Sequence, residues 1–403
     1  RQMCIRDRCV VMNLHKATVT GGTFTAAEGS DKTTYGVYNC ACAEDHDIGE
    51  LKISGGTFTG ADFAVADVSS VGGKITISNG TFIGSSGAIG ISSGHTGVFS
   101  ISGGTFSSNV SAYLADGYTV VENEGEYAVS AKTEQSENDV AVVDGQYFTQ
   151  LQNAINAAER GETVVLLKDT EESVSIASSD DIVLDLNGNV LTLPGTMTVD
   201  GNVTVQDSTV TAGPVVSSDY ESVEYDAGKI VYTGNSTAII PQNGGSFTLL
   251  SGIIDASAAG TAIYANGNQS PENDGDTAPV NSKVTIADGY VHSMEYGIGV
   301  AGRGAQLSVT GGVIAAEGNC AIGGNGTNSA SRYDGGTTIN ISGGTIIGRM
   351  TAEFVEDGYI AVGIYHPQNG EMTISGGTIY ADQGVGIAMR GCLLYTSPSP
   401  RDA

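Results

Sequence analysis

The chain has 403 residues, carries 17 Lys and Arg against 45 Asp and Glu for a formal charge of −28, and contains 58 Gly but no Trp. That charge repels phosphate backbones and anionic membranes, which disfavours nucleic-acid or lipid-surface binding. The glycines keep no triplet period, so a collagen-like chain is excluded, and no segment approaches the roughly 18 consecutive apolar residues of a membrane span.

Taken in chain order, the first residues do not resemble the rest. Arg1-Gln-Met-Cys-Ile-Arg-Asp-Arg8 back-translates into the tail of a common transposase sequencing adapter, and Cys392-Leu-Leu-Tyr-Thr-Ser-Pro-Ser-Pro-Arg-Asp402 into the reverse complement of its partner. Residues 1–8 and 392–403 are therefore expected to be adapter-derived scars flanking an internal fragment from roughly Cys9 to Gly391; 1–8 and 396–403 are expected to make almost no long-range contacts, while Leu393–Tyr395 can pair with the edge of the final coil. Setting their four basic and two acidic residues aside moves the charge to about −30.

From Val19 onward a phrase of the form Ile-Ser-Gly-Gly-Thr-Phe recurs, beginning at Val19, Ile53, Ile77, Ile101, Ile286, Val309, Ile341 and Ile374. Repeats that cannot each bury an apolar face alone must stack into a solenoid. Gly56, Gly80 and Gly104 are 24 residues apart and Gly289 and Gly312 are 23 apart, a length suited to a coil of three short strands. In Lys74-Ile-Thr-Ile77 the alternation points Ile75 and Ile77 inward and Thr76 outward. Phe82 breaks the alternation and can reach the core only if the backbone turns at Asn79-Gly80, so the Gly position is a corner, with Gly80, Gly104, Gly344 and Gly377 in equivalent places. A second strand signal follows each corner, as in Tyr35-Gly-Val-Tyr38, Ala88-Ile-Gly-Ile91, Thr261-Ala-Ile-Tyr264, Tyr296-Gly-Ile-Gly-Val300, Ala361-Val-Gly-Ile-Tyr365 and Val385-Gly-Ile-Ala388.

The first block is predicted over 9–128 and ends in closing strands after Gly104–Tyr118; an acidic linker follows over 129–143. Phe148, Leu151, Ile155 and Ala158 then fall at helical spacing, with Thr149 as N-cap and Gly161 as stop, which predicts one short α-helix near 147–160. A helix at that place would cap the first coil of a second block, 144–391, whose opening strands are Thr163–Leu167, Val174–Ile176 and Ile182–Leu186.

These phrases, Ile-Ser-Gly-Gly-Thr-Ile followed by Gly-Ile-Tyr above all, resemble the right-handed parallel β-helix of the pectin-lyase-like superfamily. More narrowly they resemble repetitive surface proteins of gut Firmicutes. The resemblance covers nearly all of residues 19–391 and implies an all-β fold, a right-handed parallel β-helix in two blocks with a capping helix.

For chemistry the sequence offers scattered candidates. The hydrolases of that superfamily resemble one another through an Asn-Thr-Asp strand, an Asp-Asp pair, a Gly-His-Gly turn and an Arg-Ile-Lys strand, and this chain has none of that set. Asp180-Asp181 and Gly94-His95-Thr-Gly97 come nearest, and the former is read as a solvated turn because acid and base must flank one bond. A lyase needs calcium on clustered carboxylates and a basic residue. Arg303, Arg332, Arg349 and Arg390, with Asp334, Glu353, Glu356 or Asp357, are the candidates, read instead as solubilising loop charges. Pro271-Glu-Asn-Asp-Gly-Asp276 is the one loop that invites calcium, but it lacks the terminal Glu of a helix-loop-helix site and is read as an acidic loop. Cys40 and Cys42 are read as packing residues; His15, His46, His95, His292 and His366 as surface or loop residues. Tyr225, Tyr232, Tyr264, Tyr290, Tyr296, Tyr333, Tyr359 and Tyr365 could supply sugar platforms in the second block, but sheet packing is the simpler reading.

No catalytic, cofactor-binding or metal-binding residue is assigned. The expectation is a non-enzymatic, secreted or cell-wall-displayed structural stalk or adhesin-like surface of a gut bacterium, with glycans or surface proteins as partners and no nucleic acid. The alternative is a carbohydrate-active β-helix, either a polysaccharide lyase or glycoside hydrolase, or a glycan-binding module. A tight group of carboxylates with one Arg or Lys on a single outer groove would favour the alternative.

Overall fold

The structure, a computed structural model, describes residues 9–26, 33–40, 49–60, 62–68, 72–91, 97–258, 260–267, 281–324, 336–351, 360–366 and 370–389. Both expected scars lie outside the described residues. The chain divides into two compact units, Arg1–Ser136 and Glu137–Ala403.

In the first unit the chain visits three parallel sheets in turn. One holds Cys9–Asn13, Tyr35–Asn39, Phe63–Asp67 and Gly87–Ile91. The next holds Lys16–Val19, Glu50–Ile53, Lys74–Ile77 and Val98–Ile101. The third holds Thr23–Thr25, Thr57–Gly60, Thr81–Gly84 and Gly104–Phe106. One circuit of three strands is one coil of a parallel β-helix, and the 24-residue step is its length. Like residues stack on like: Leu51 on Ile75 on Phe99, and Ile53 on Ile77 on Ile101. Ile75, Ile77 and Phe82 have no exposed surface, whereas Thr76 is half-buried, as the alternation requires. Phe24, Phe58, Phe82 and Phe106 form a continuous ring stack with centroids 4.8, 5.1 and 4.9 Å apart. The corner before Phe82 is set by Gly80 at φ +130°, where a Cβ would come within 2.9 Å of the Phe82 ring.

That unit closes by changing strand direction. Tyr118–Asn123 and Glu126–Ala131 form an antiparallel hairpin, and the second of these pairs antiparallel to Gly104–Phe106, covering an edge that another coil would otherwise need to cover. The expected linker is shorter than 129–143: Val129–Ala131 still belong to this hairpin, and Ala141–Val143 are already a buried strand. Acidic composition marked the exposed middle but not the paired ends.

The second unit opens with an antiparallel hairpin, Ala141–Val143 with Gln146–Phe148, whose first strand pairs antiparallel to Thr163–Leu166. The helix is Leu151–Ala157, shorter than expected, and buries Leu151, Ala154 and Ile155. Phe148 precedes it on a strand. Thr149 is not the N-cap; Gln150 occupies that position without a side-chain cap, and the carboxylate of Glu172 accepts the Leu151 and Gln152 N–H groups at 2.8 and 2.9 Å. A carboxylate supplied from a later coil does what a local hydroxyl would do, satisfying the unpaired first turn.

Beyond this cap, parallel sheets of ten, eight and seven strands run through the unit, the first including the two antiparallel capping strands. Val174–Ile176 contributes only a bridge between Ile176 and Val199 rather than a strand. Inward ladders such as Leu249, Ile286, Val309 and Ile341 rise through the core, and Ile374 continues the register in the last described coil, where it is exposed. Leu249-Leu-Ser-Gly252 is a further copy of the corner phrase that its Leu and Ser disguise, with Gly252 at φ +98°.

Candidate functional site

One coil of the second unit departs from the rest. After the strand Asn202–Gln206 the chain leaves the solenoid and returns only at Gly228, before the strand Lys229–Tyr232. Asp207 holds both ends of this excursion. It is buried, and its carboxylate accepts hydrogen bonds from Gly188 N–H at 3.0 Å, Thr209 N–H at 2.9 Å, Thr209 Oγ1 at 2.7 Å and Gly228 N–H. Burial alone would push this carboxyl up, but the convergent donors outweigh it and hold it below the usual carboxylate range. Tyr225 adds a second tie, its hydroxyl oxygen accepting from Gly252 N–H at 3.2 Å.

Within the excursion Val215–Val216 pairs antiparallel with Val223–Glu224. The tip is drawn tight by Asp219, whose carboxylate accepts from Ser217 Oγ at 2.6 Å and Glu221 N–H at 3.2 Å. Tyr220, beside it, sits at φ +62°, a left-handed conformation that costs a bulky residue roughly 1–3 kcal/mol.

This hairpin lies on the outer face of the eight-stranded sheet. Ile314 and Ile346 point into the core, so alternation sends Val313, Ala315 and Ile347 outward; yet these three are 2 %, 0 % and 0 % exposed. They form a separate small core with Val216, Tyr220, Val223, Tyr290 and Tyr380. A second hydrophobic layer therefore exists outside the solenoid wall.

Beside it stands a polar cluster drawn from successive coils. His292, Ala315, Ile347 and Tyr380 share one register position. Glu317 and Arg349 follow the ends of the strands Val313–Ala316 and Thr345–Gly348. Arg349 Nη1 donates to Glu317 Oε1 at 2.7 Å, while its Nε and Nη2 both donate to the Tyr220 carbonyl, at 3.0 and 2.7 Å. Glu317 Oε1 also lies 3.0 Å from His292 Nε2. Burial pushes Glu317 up, but His292 and the Arg349 guanidinium together bring it below the usual carboxylate range. It is ionised at neutral pH, and so the shared hydrogen sits on His292 Nε2. Asp255 approaches His292 Nδ1 at 3.9 Å, beyond hydrogen-bonding distance. Burial pushes the Tyr290 hydroxyl up to about 12, so it stays protonated. The rings of Tyr290 and His292 stack at 5.4 Å, and those of Tyr220 and Tyr380 at 4.5 Å.

Between hairpin and sheet lies a cavity of about 430 Å³ lined by these tyrosines, His292, Glu317 and Arg349, with Glu221 and Asp382. Its size suits a small ligand or one end of a longer one. Two of its charged groups are already engaged. Arg349 is committed to a carbonyl and a carboxylate, Glu317 is ionised and doubly bonded, and neither is available to exchange a proton with a bound substrate. A smaller cavity of about 240 Å³ lies by Tyr264 and Tyr296, whose rings rest on Gly299 and Gly323 of neighbouring coils.

Of the candidates read from sequence, Arg349 and Tyr290 enter the cluster. His292 is not a loop residue but a half-buried strand residue, and His366 is likewise on a strand and 3 % exposed; His15 lies at the surface. Asp180 closes a turn by accepting Ala177 N–H at 2.8 Å, and Asp181 pairs with Arg160 at 2.9 Å, so the two do not converge on a site. Tyr232 is in the core. Cys40 is half-buried, and burial pushes the Cys320 thiol up to about 12, which leaves it unreactive. Cys42, His46, His95, the Pro271–Asp276 loop, Arg332, Tyr333, Asp334, Glu353, Glu356, Asp357, Tyr359 and Arg390 lie outside the described residues. Among the described residues there is no group of three or more His, Cys, Asp and Glu side chains placed to hold a metal ion, and no helix is long and apolar enough to cross a membrane. Tyr220, Glu317, Tyr380 and Asp382 were not singled out in the sequence; the spacing of their coils varies too much to align them, and only the strand register brings them together.

The chain matches no family model, no curated protein and no solved structure.

Proposed function

We propose that this protein is a non-enzymatic, exported or cell-surface β-helix of bacterial origin, of the pectin-lyase-like kind, whose stacked coils serve as a stalk and whose outer face binds glycans. The observation that carries this reading is the tyrosine-lined cavity between the 215–224 hairpin and the sheet wall. Tyrosine faces beside fixed polar groups suit the mixed apolar and hydroxylated surface of a sugar. Carboxylates and one Arg do meet on a single outer face, the pattern that would favour an enzyme. The hydrogen bonds of Arg349 and Glu317 are spent on fastening the hairpin, however, and this supports binding over turnover.

The test is a panel of oligosaccharides titrated by calorimetry, paired with an assay for new reducing ends and unsaturated products. Binding without product release, weakened by Tyr290→Ala, is the expected result. Product release abolished by Glu317→Gln would overturn the non-enzymatic reading. Fractionation of a cell that makes the protein tests export and display directly.

A further inference from the structure

The charges around the cavity are unequal. Arg349 is the guanidinium on its wall, and the 2.7 Å contact with Glu317 neutralises it. Glu221 from the hairpin tip and Asp382 from the turn after Thr378–Ala381 also line the cavity, and among the described residues neither pairs with a Lys, Arg or His. Asp382 has only a long contact, 3.5 Å, from the Tyr380 hydroxyl. Two carboxylates thus face the space with unused acceptor capacity, next to the stacked rings of Tyr220 and Tyr380 and the ring of Tyr290.

We propose that the cavity recognises a saccharide bearing a free ammonium group, an amino sugar that is not N-acylated; this rests on the glycan-binding reading above. Carboxylates are the natural acceptors for the three N–H donors of an ammonium. Tyrosine faces attract the same charge through their ring quadrupoles. A uronate would bring its carboxylate against Glu221, Asp382 and a chain of net charge −28, and the charge of Arg349 is already neutralised by Glu317. A neutral sugar would use the rings but leave the carboxylates without their best partner. The chain's overall charge also concentrates cationic ligands near its surface, most strongly at low salt.

The experiment is calorimetric titration of the whole chain with three oligosaccharides of equal length: β-1,4-linked glucosamine with free amines, its fully N-acetylated counterpart, and oligogalacturonate. The free amine is expected to bind at least about tenfold more tightly than the acetylated form, with affinity falling as salt rises, and the uronate not to bind. Glu221→Gln combined with Asp382→Asn should bring the amine down to the level of its acetylated counterpart. Equal or tighter binding of the acetylated form or the uronate overturns the ammonium assignment while leaving glycan binding intact. Failure of all three to bind overturns both. If the double substitution loosens the hairpin, the acetylation comparison, made on the unaltered chain, still decides.

Discussion

Phe82 lies between two parallel rings, 5.1 Å from Phe58 and 4.9 Å from Phe106, with no surface exposed. Removing its ring would leave a void that neighbouring coils cannot collapse into without breaking register, so Phe82→Ala is expected to cost about 3–5 kcal/mol, read by urea unfolding of the first unit. Ile75, Ile77 and Phe82 were legible because each obeys a rule local to its own coil, alternation for the first two and a corner for the third. Val313, Ala315 and Ile347 were not: outward positions on such a strand are solvated unless something covers them, and what covers them comes from a hairpin some hundred residues earlier in the chain. The acid sensitivity of that covering also belongs to single residues. Asp207 and Glu317 both ionise below the usual carboxylate range when folded, so the stability they contribute is complete at neutral pH and is lost as pH falls through those lowered values. An acid-active protease should begin to cut within 208–227 only below about pH 4, and cutting that is already rapid at pH 7 would contradict this.

At the level of elements, the hairpin and the capping helix show the same design: a short piece that could not stand alone is held by a carboxylate or guanidinium from elsewhere in the fold. For the hairpin the holder is Arg349. Arg349→Met removes its three donors to Tyr220 and Glu317 and leaves Glu317 half-buried without its cation, a loss of about 3–5 kcal/mol. The loss should fall on the hairpin rather than on the ladder. Hydrogen exchange is expected to speed up at 215–224 while Val291, Ile314 and Ile346 stay protected; loss of protection at those core positions would mean that the hairpin supports the wall as well. Helix existence was readable from four apolar residues at helical spacing, but its boundaries were not, because the cap is Glu172, remote in sequence from the turn it satisfies.

Each unit of the whole chain has its own core, Val37 to Val129 in the first and Val140 to Ile364 in the second, and each has an antiparallel hairpin covering one sheet edge. Expressed separately, residues 9–136 and 137–389 are therefore expected to give strand-rich circular dichroism and cooperative melting; failure of either alone would show that its core depends on the other. Repetition made this architecture readable, and the departure from repetition carries the candidate site. The Asp207 staple ties the two ends of the excursion together, its carboxylate accepting from Gly228 N–H where the chain rejoins the wall. Coil length and coil register are thereby uncoupled. The excursion is in effect detachable: a hairpin of different sequence could be exchanged between Asp207 and Gly228, or the excursion shortened to a plain turn, with the ladder beneath unchanged. Sequence within the excursion can then change while the stacked coils on either side stay fixed.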